Sequence, residues 1–564
     1  MVRAKFAYAG LILMALIHLC KPALGWMNEV NELPNILLIV ADDLGYSDLG
    51  CFGGEIKTPH IDSLAARGIR ATDFYVAPSC SPSRSMLLTG TDSHVAGIGN
   101  MAEWTGESQR GQPGYEGFLN NRVITIASLL REAGYSTSLA AKWHLGDKPD
   151  QWPAKRGFDR DFALLQGAAS HWSDMQGLLP TEPKATFTHN GEQVNELPKD
   201  YYSSKYFTDF IMQSIDESQS NGKPFFAYLG YQAPHGPLAV PDEWRDKYIG
   251  KYDVGYDAIR EERLTRQKKL GIVGVNVIAY PRLPNIPAWS ELSAEQRRLA
   301  ARKMELYAAM IEYMDDQIGR LIHHLESSGQ LDNTLIVFIS DNGAAGEDLA
   351  HLISQLAPTA KEWFEKTFDN RPENWGRPKS CMEYGPAWAQ VSSVPFRLFK
   401  GVQAEGGIRA PLIVAGPGVN HRGSINHSVL HVTDLVPTFI ETAGIVHPST
   451  SPGSPFASLQ GKSMWPLLSG KSPSIRTPSD AIGGELFGNR AIRQGDWKLL
   501  YLLKNAGGTG AWELFNLRDD PSEQHDLSAQ FPGKRDELIG LWKEYVTRNG
   551  IIVSDAGPFT PRKN

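Results

Sequence analysis

Asn35-Ile36-Leu37-Leu38-Ile39-Val40-Ala41, followed at once by Asp42-Asp43, is the stretch that decides the fold. It is continuously apolar after Asn35 and does not alternate, so it reads as a strand buried on both faces, the mark of a parallel sheet covered by helices. Short runs of the same kind recur at 224–229, Thr334–Ser340 and 411–415, and a further strand is expected at 136–140. Helical stretches lie between them. The clearest opens with a capping box at Ser293 and Gln296 and continues with Met304, Tyr307, Ile311, Met314, Ile318, Leu321 and Leu325 at three- and four-residue spacing. Buried strands alternating with amphipathic helices predict an α/β fold: a large mixed, mostly parallel sheet sandwiched by helices.

The pattern changes after a helix-like segment at 435–443. Residues 447–478 are rich in Pro, Ser and Gly and read as a connection. Beyond them, alternating segments at 490–503 and 511–517 and a helical pattern at 534–548 predict a small antiparallel sheet with one helix. The expected organisation is a signal peptide at 1–25, a catalytic domain at 26–446 and a small C-terminal α+β subdomain at 447–564. The stretches 151–205 and 241–290 show no strong period and are expected to contribute long surface loops at a substrate entrance.

Composition narrows the class. With 41% hydrophobic and 21% charged residues the chain is that of a soluble globular protein. A net charge of −7 and a pI near 6.1 argue against a nucleic-acid partner, which needs a basic face. At the N-terminus, Arg3 and Lys5 precede an apolar run from Phe6 to Cys20, and Ala23-Leu24-Gly25 offers a cleavage site. That layout predicts a secreted or periplasmic protein. The run is too short for stable membrane insertion. Removing it leaves Cys51, Cys80 and Cys381, too few for a disulfide framework. Asn426-His427-Ser428 is a glycosylation sequon.

The chemistry gathers at strand ends. Asp42-Asp43 follow the first buried strand and Asp341-Asn342-Gly343 follow another, and ligands of open α/β sheets bind beyond the carboxyl ends of strands. Their three carboxylates and one amide oxygen are hard ligands, suited to Ca²⁺ or Mg²⁺. Cys80-Ser81-Pro82-Ser83-Arg84 reads as the start of a helix, with Ser81 as cap and Pro82 in the first turn. Residue 80 is then expected just ahead of a helix N-terminus, which favours an anion. Arg84, Lys142, His144, His235 and Lys400 complete the candidate site as its cationic and proton-transferring half.

Cys80-x-Pro82-Ser83-Arg84-x-x-x-Leu88-Thr89-Gly90 resembles the signature of type I sulfatases, whose cysteine is oxidised to formylglycine. Lys142-Trp143-His144-Leu145-Gly146, Ala233-Pro234-His235 and Lys400-Gly401-x-x-x-Glu405-Gly406-Gly407-Ile408-Arg409 match further blocks of that family, in its order. The likeness is greatest to bacterial calcium-dependent arylsulfatases. Gly97 to Glu103, Tyr384-Gly385-Pro386, Arg490 to Lys498, Trp512 to Leu517 and Asp520-Pro521 belong to the same likeness. Ala141 and Ala410 depart from it, where glycine and valine are usual; neither is a chemical residue.

The resemblance implies an alkaline-phosphatase-like fold and hydrolysis of sulfate esters, an aryl sulfate and water giving a phenol and sulfate. It implies Asp42, Asp43, Asp341, Asn342 and residue 80 as ligands of one Ca²⁺, with Mg²⁺ second. Arg84 would steady the formylglycine hydrate, Lys142 and Lys400 grip the sulfate, His235 protonate the leaving oxygen and His144 deprotonate the remaining hydroxyl. The expected partners are a small-molecule or glycan sulfate ester and a formylglycine-generating maturation enzyme. A phosphonate or phosphate ester hydrolase with the same formylglycine site is the alternative, since both esters share shape and in-line geometry. A catalytically dead glycan-binding relative would have lost Cys80, a metal carboxylate or a lysine, and all are present.

Overall fold

The computed structural model describes residues 33–356 and 358–554; residues 1–25, expected to be a signal peptide, lie outside them. The described residues from Pro34 onward form one compact unit. The strands in chain order are β1 (Asn35–Ala41), β2 (Ile69–Tyr75), β3 (Ser136–Lys142), β4 (Arg160–Leu164), β5 (Gln176–Leu179), β6 (Glu182–Lys184), β7 (Phe187–His189), β8 (Glu192–Val194), β9 (Phe225–Gly230), β10 (Thr334–Ser340), β11 (Arg409–Ala415), β12 (Ser424–Asn426) and β13 (Leu430–His431). The main sheet runs β12-β2-β11-β10-β1-β9-β3-β4-β7-β8, with β13 also on β2. The five strands β10, β1, β9, β3 and β4 are mutually parallel; β11 and β7 join antiparallel on either side. Every residue of β1 is buried, as a strand with helices on both faces must be. One core cluster packs against Leu37, Ile39 and Ala41, the other against Ile36, Leu38 and Val40.

The long helix Ala294–Ser327 carries the expected capping box: the Ser293 hydroxyl accepts from the Gln296 amide. Its stripe from Met304 to Leu325 is buried and joins the first of those clusters. The C-terminal region is a four-stranded antiparallel sheet, β14 (Ala481–Leu486), β15 (Asn489–Gln494), β16 (Trp497–Tyr501) and β17 (Trp512–Asn516), covered by the helix Pro532–Asn549. No helix among the described residues is long and apolar enough to cross a membrane.

Within 151–205 lie the short strands β4 to β8 and within 241–290 the helix Tyr256–Leu270, with long irregular segments beside them. Short strands and a helix with few apolar residues leave no period for the eye to find. The helix expected to begin after Ser81 is Cys80–Thr89, with Ser79 at its N-cap position and no side-chain cap bond. The Ser83 hydroxyl does the local tying instead, accepting from the Ala77 amide at 2.9 Å.

Candidate active site

Topology alone brings the site together. Four adjacent parallel strands end almost level, with Ala41 opposite Ser340 and both Val40 and Ala141 opposite Gly230. Asp42, Asp341, Lys142 and the loop to His235 therefore leave one edge of the sheet. β2 is antiparallel to β11 and β11 to β10, so β2 also ends at this edge, and the helix Cys80–Thr89 starts there. For the same reason β11 begins at this edge, just after Lys400. Backbone bonds lace the loops: Asp42 N to Ala233 O (3.1 Å), Asp341 N to Ala41 O (3.1 Å), Lys400 N to Ala344 O (2.9 Å) and Gly401 N to Pro78 O (2.7 Å).

Cys80 Sγ lies 3.4 Å from Asp42 Oδ1 and 4.0 Å from Asp43 Oδ1. Lys142 Nζ donates to Asp42 Oδ2 at 2.7 Å, and Lys400 Nζ donates to Asp43 Oδ2 at 2.9 Å. Arg84 is fully buried; its Nε donates to Asp341 Oδ2 at 2.8 Å and its Nη1 to the Lys142 carbonyl at 2.6 Å. The Asn342 amide donates to Asp43 Oδ1 at 2.6 Å, which leaves its own buried Oδ1 without a donor. His235 Nε2 stands 3.4 Å from Asp43 Oδ2, and its Nδ1 donates to the Gly236 carbonyl at 2.7 Å. All the residues expected from the sequence thus converge except His144, which stands apart from this knot. It is bonded through Nε2 to Glu103 Oε1 at 2.9 Å, with its buried Nδ1 unpartnered.

Two backbone strains lie here. Asp43 (φ 66°) and His144 (φ 56°) adopt the left-handed conformation, rare outside glycine and concentrated at functional sites. Gly167 makes room for the His144 ring: a Cβ there would fall 2.6 Å from its Cε1.

Electrostatics follow from burial. Burial opposes the charge of Asp43, but Lys400, His235 and Lys142 outweigh it and hold the carboxyl below the usual range. Burial, helped by Lys400 and Lys142 and opposed by Asp43, pushes His235 down to about 3. Burial pushes the Cys80 thiol up, so as a plain cysteine it is no nucleophile at neutral pH. Burial works against the charge of Glu103, yet the His144 ring holds it down to about 2.

The donor set fits a hard divalent cation. Ligand atoms of Asp42, Asp43, Cys80 and His235 lie within 4.8 Å of one another, and the orphaned Asn342 Oδ1 is a further oxygen at the same edge. Soft metals would require sulfur and nitrogen ligands in greater number.

Sequence reasoning passed over Glu103, although it closes the quoted segment that starts at Gly97, and it passed over Glu347 and Glu383. Glu347 Oε1 is 3.8 Å from Lys400 Nζ, and Glu383 Oε2 accepts from the Leu349 amide at 2.9 Å. Both come from loops with no periodic signal. Cys51 and Cys381 are buried and free, with no bridge between them.

Known proteins resemble this chain in sequence and fold. The Sulfatase family matches residues 34–445, and the family described as N-sulphoglucosamine sulphohydrolase, C-terminal, matches residues 397–537. An uncharacterized sulfatase of Schizosaccharomyces pombe is 41% identical over 553 residues, covering 95% of this chain and 98% of its own. An arylsulfatase of Klebsiella aerogenes is 40% identical over 451 residues, covering 80% and 93%. Among solved structures, Ps i-CgsB in complex with k-i-k-neocarrahexaose superposes with a TM-score of 0.64 at 27% identity, covering 92% of this chain and 94% of that one.

Proposed function

This chain belongs to the sulfatase family and is a sulfuric ester hydrolase, and we propose that it acts through a formylglycine made from Cys80 on a Ca²⁺ ion. The observation that carries the reading is Cys80 itself: a buried, unreactive thiol at a helix N-terminus, 3.4 Å from Asp42 Oδ1 and facing two lysines. Hydrated formylglycine supplies one hydroxyl to attack sulfur and a second whose deprotonation expels sulfate. Asp42, Asp43, Asp341 and Asn342, with residue 80, are the ligands we assign to the ion, which supplies positive charge against the sulfuryl oxygens.

The chain's own residues do the rest. Lys142 and Lys400 meet the sulfuryl oxygens, where each charge pair near 4 Å is worth roughly 4 kcal/mol at an effective dielectric of 20. Arg84 keeps Asp341 oriented through its Nε and Nη2. His235 presents Nε2, since Nδ1 is held by the Gly236 carbonyl. It is neutral until a sulfate ester brings negative charge beside it, and it then has a proton for the leaving oxygen. His144, oriented by Glu103, is the base for the second hydroxyl.

The enzyme is secreted or periplasmic in this reading, is matured by a formylglycine-generating enzyme, and is built as a catalytic domain to residue 446 with a C-terminal subdomain after it. Its substrate is a small-molecule or glycan sulfate ester. Two assays test the reading. Mature enzyme should turn over 4-nitrophenyl sulfate faster than 4-nitrophenyl phosphate, with the phosphate a weak side reaction; faster phosphate turnover reverses the ranking. Chelator should abolish activity and calcium restore it, and full activity in metal-free enzyme would sink the ligand assignment.

A further inference from the structure

Beyond Lys400 and His235 the site opens into a pocket of about 120 Å³. That is the scale of a space that takes one aromatic ring, as a cavity of about 150 Å³ takes benzene. Met101, Trp104, Leu178, Leu179, Leu349 and Leu352 give it an apolar surface. Glu103, Glu182, Glu347 and Glu383 give it carboxylates, and Lys400 is its sole Lys or Arg among the described residues. Lys400 is already engaged by Asp43 at 2.9 Å. Glu347 Oε1 accepts no hydrogen bond. Glu383 packs against the residue after His235: a Cβ on Gly236 would fall 2.8 Å from its Cγ. These two carboxylates therefore flank the place where the leaving oxygen departs.

We propose that Glu347 and Glu383 make the leaving-group side of the site a charge filter, so that its substrates are small monosulfate esters of apolar alcohols or phenols without a second anionic group, ammonium-bearing ones being favoured over neutral. The inference rests on the sulfate-ester reading above. One sulfate is accommodated by the lysines; a second anion has no cation left to meet and must shed water against carboxylates. Burial raises both carboxyls, Lys400 working against the shift at Glu347, and with Glu347 beside it Glu383 is pushed up to about 8, so the repulsion of an anion grows as pH climbs through that value. An apolar leaving group displaces water from the leucine wall and gains affinity. Specificity of this kind comes from what the pocket repels as much as from what it holds.

The test uses mature holoenzyme and three aryl sulfates, 4-nitrophenyl sulfate and derivatives carrying a carboxylate or a trimethylammonium group through a methylene, each kcat/KM being corrected for the acidity of its phenol. The expected kcat/KM is about tenfold or more lower for the carboxylate than for the parent and severalfold higher for the ammonium. Glu347→Gln and Glu383→Gln should each shrink the ammonium-to-carboxylate ratio at least about threefold, and two variants guard against one that fails to fold. Equal kcat/KM for parent and carboxylate, or a ratio unchanged in both variants, overturns the filter while leaving the sulfatase reading intact. No turnover of any of the three overturns that reading and the filter with it.

Discussion

Two buried clusters of charge, each with three acids and three bases, differ in how they are closed. At the sheet edge, Asp42, Asp43 and Asp341 face Arg84, Lys142 and Lys400. At the seam with the C-terminal sheet, Asp73, Glu405 and Glu523 face Arg409, Arg493 and Lys498. In the seam the charges are sealed among themselves: Lys498 Nζ reaches Glu405 at 2.8 Å and Glu523 at 2.7 Å, and Tyr75 donates to Glu405 at 2.7 Å. At the edge, acceptors are left over. Among the described residues, Asp42 Oδ1 meets a thiol at 3.4 Å and Asn342 Oδ1 has no donor. A closed network specifies how two parts dock, whereas an open one awaits a ligand.

The largest effect expected from breaking this contrast is at residue 80. Cys80→Ala should lower sulfate-ester turnover on the order of 10⁴-fold or more while leaving the melting temperature nearly unchanged, because its thiol makes only long contacts. A variant that kept most of its activity would show the cluster to be structural after all. Lys142→Ala should cost roughly 10²–10³-fold in kcat, read by the same assay. The matching change in the seam should do the reverse. Lys498→Met strands Glu523, leaves Glu405 with Arg409 alone as its cation, and should destabilise by about 3–5 kcal/mol in denaturant unfolding, with kcat of the folded fraction held. Adding Glu405→Gln and Glu523→Gln should recover much of that loss, and failure to do so would mean that the seam is more than a charge balance.

A smaller effect separates the two regions by pH. His94, buried between Asp92 (2.9 Å) and Glu485 (3.2 Å), joins the catalytic part to β14. Burial works against its charge, but the two carboxylates raise it from 6.5 to about 9. A raised base stabilises fully below its unfolded value and loses that contribution as pH climbs through the folded one. Stability should therefore fall by on the order of 3 kcal/mol between about pH 6.5 and 9.5. His94→Gln should flatten that slope, and an identical slope in the variant would remove His94 from the account.

Much of this was legible in the chain, and the failures have physical causes. β1, β9, β10 and β11 announce themselves as apolar runs because both their faces are covered. β2 hid because Arg70 and Asp73 interrupt it, and their partners lie elsewhere in sequence: Arg70 donates to the Cys51 carbonyl, and Asp73 pairs with Arg409 and Arg493. No local pattern reports such contacts, which for Asp73 span hundreds of residues. The same holds in the site. Asp42 and Asp341 stand at the ends of visible strands, while Glu103 enters from a single helical turn and Glu347 and Glu383 from irregular segments, and they acquire meaning only beside His144, Lys400 and Gly236. The helix cap moved from Ser81 to Ser79 because Ser83 ties back to Ala77 and no side chain caps the end.

The open cluster's central claim rests on what residue 80 becomes. The direct measurement is the mass of the peptide spanning Cys80, taken on active protein from a host that carries the maturation enzyme. The account predicts sulfur replaced by oxygen with loss of two hydrogens, the signature of formylglycine. An unmodified thiol in material that hydrolyses sulfate esters would contradict it.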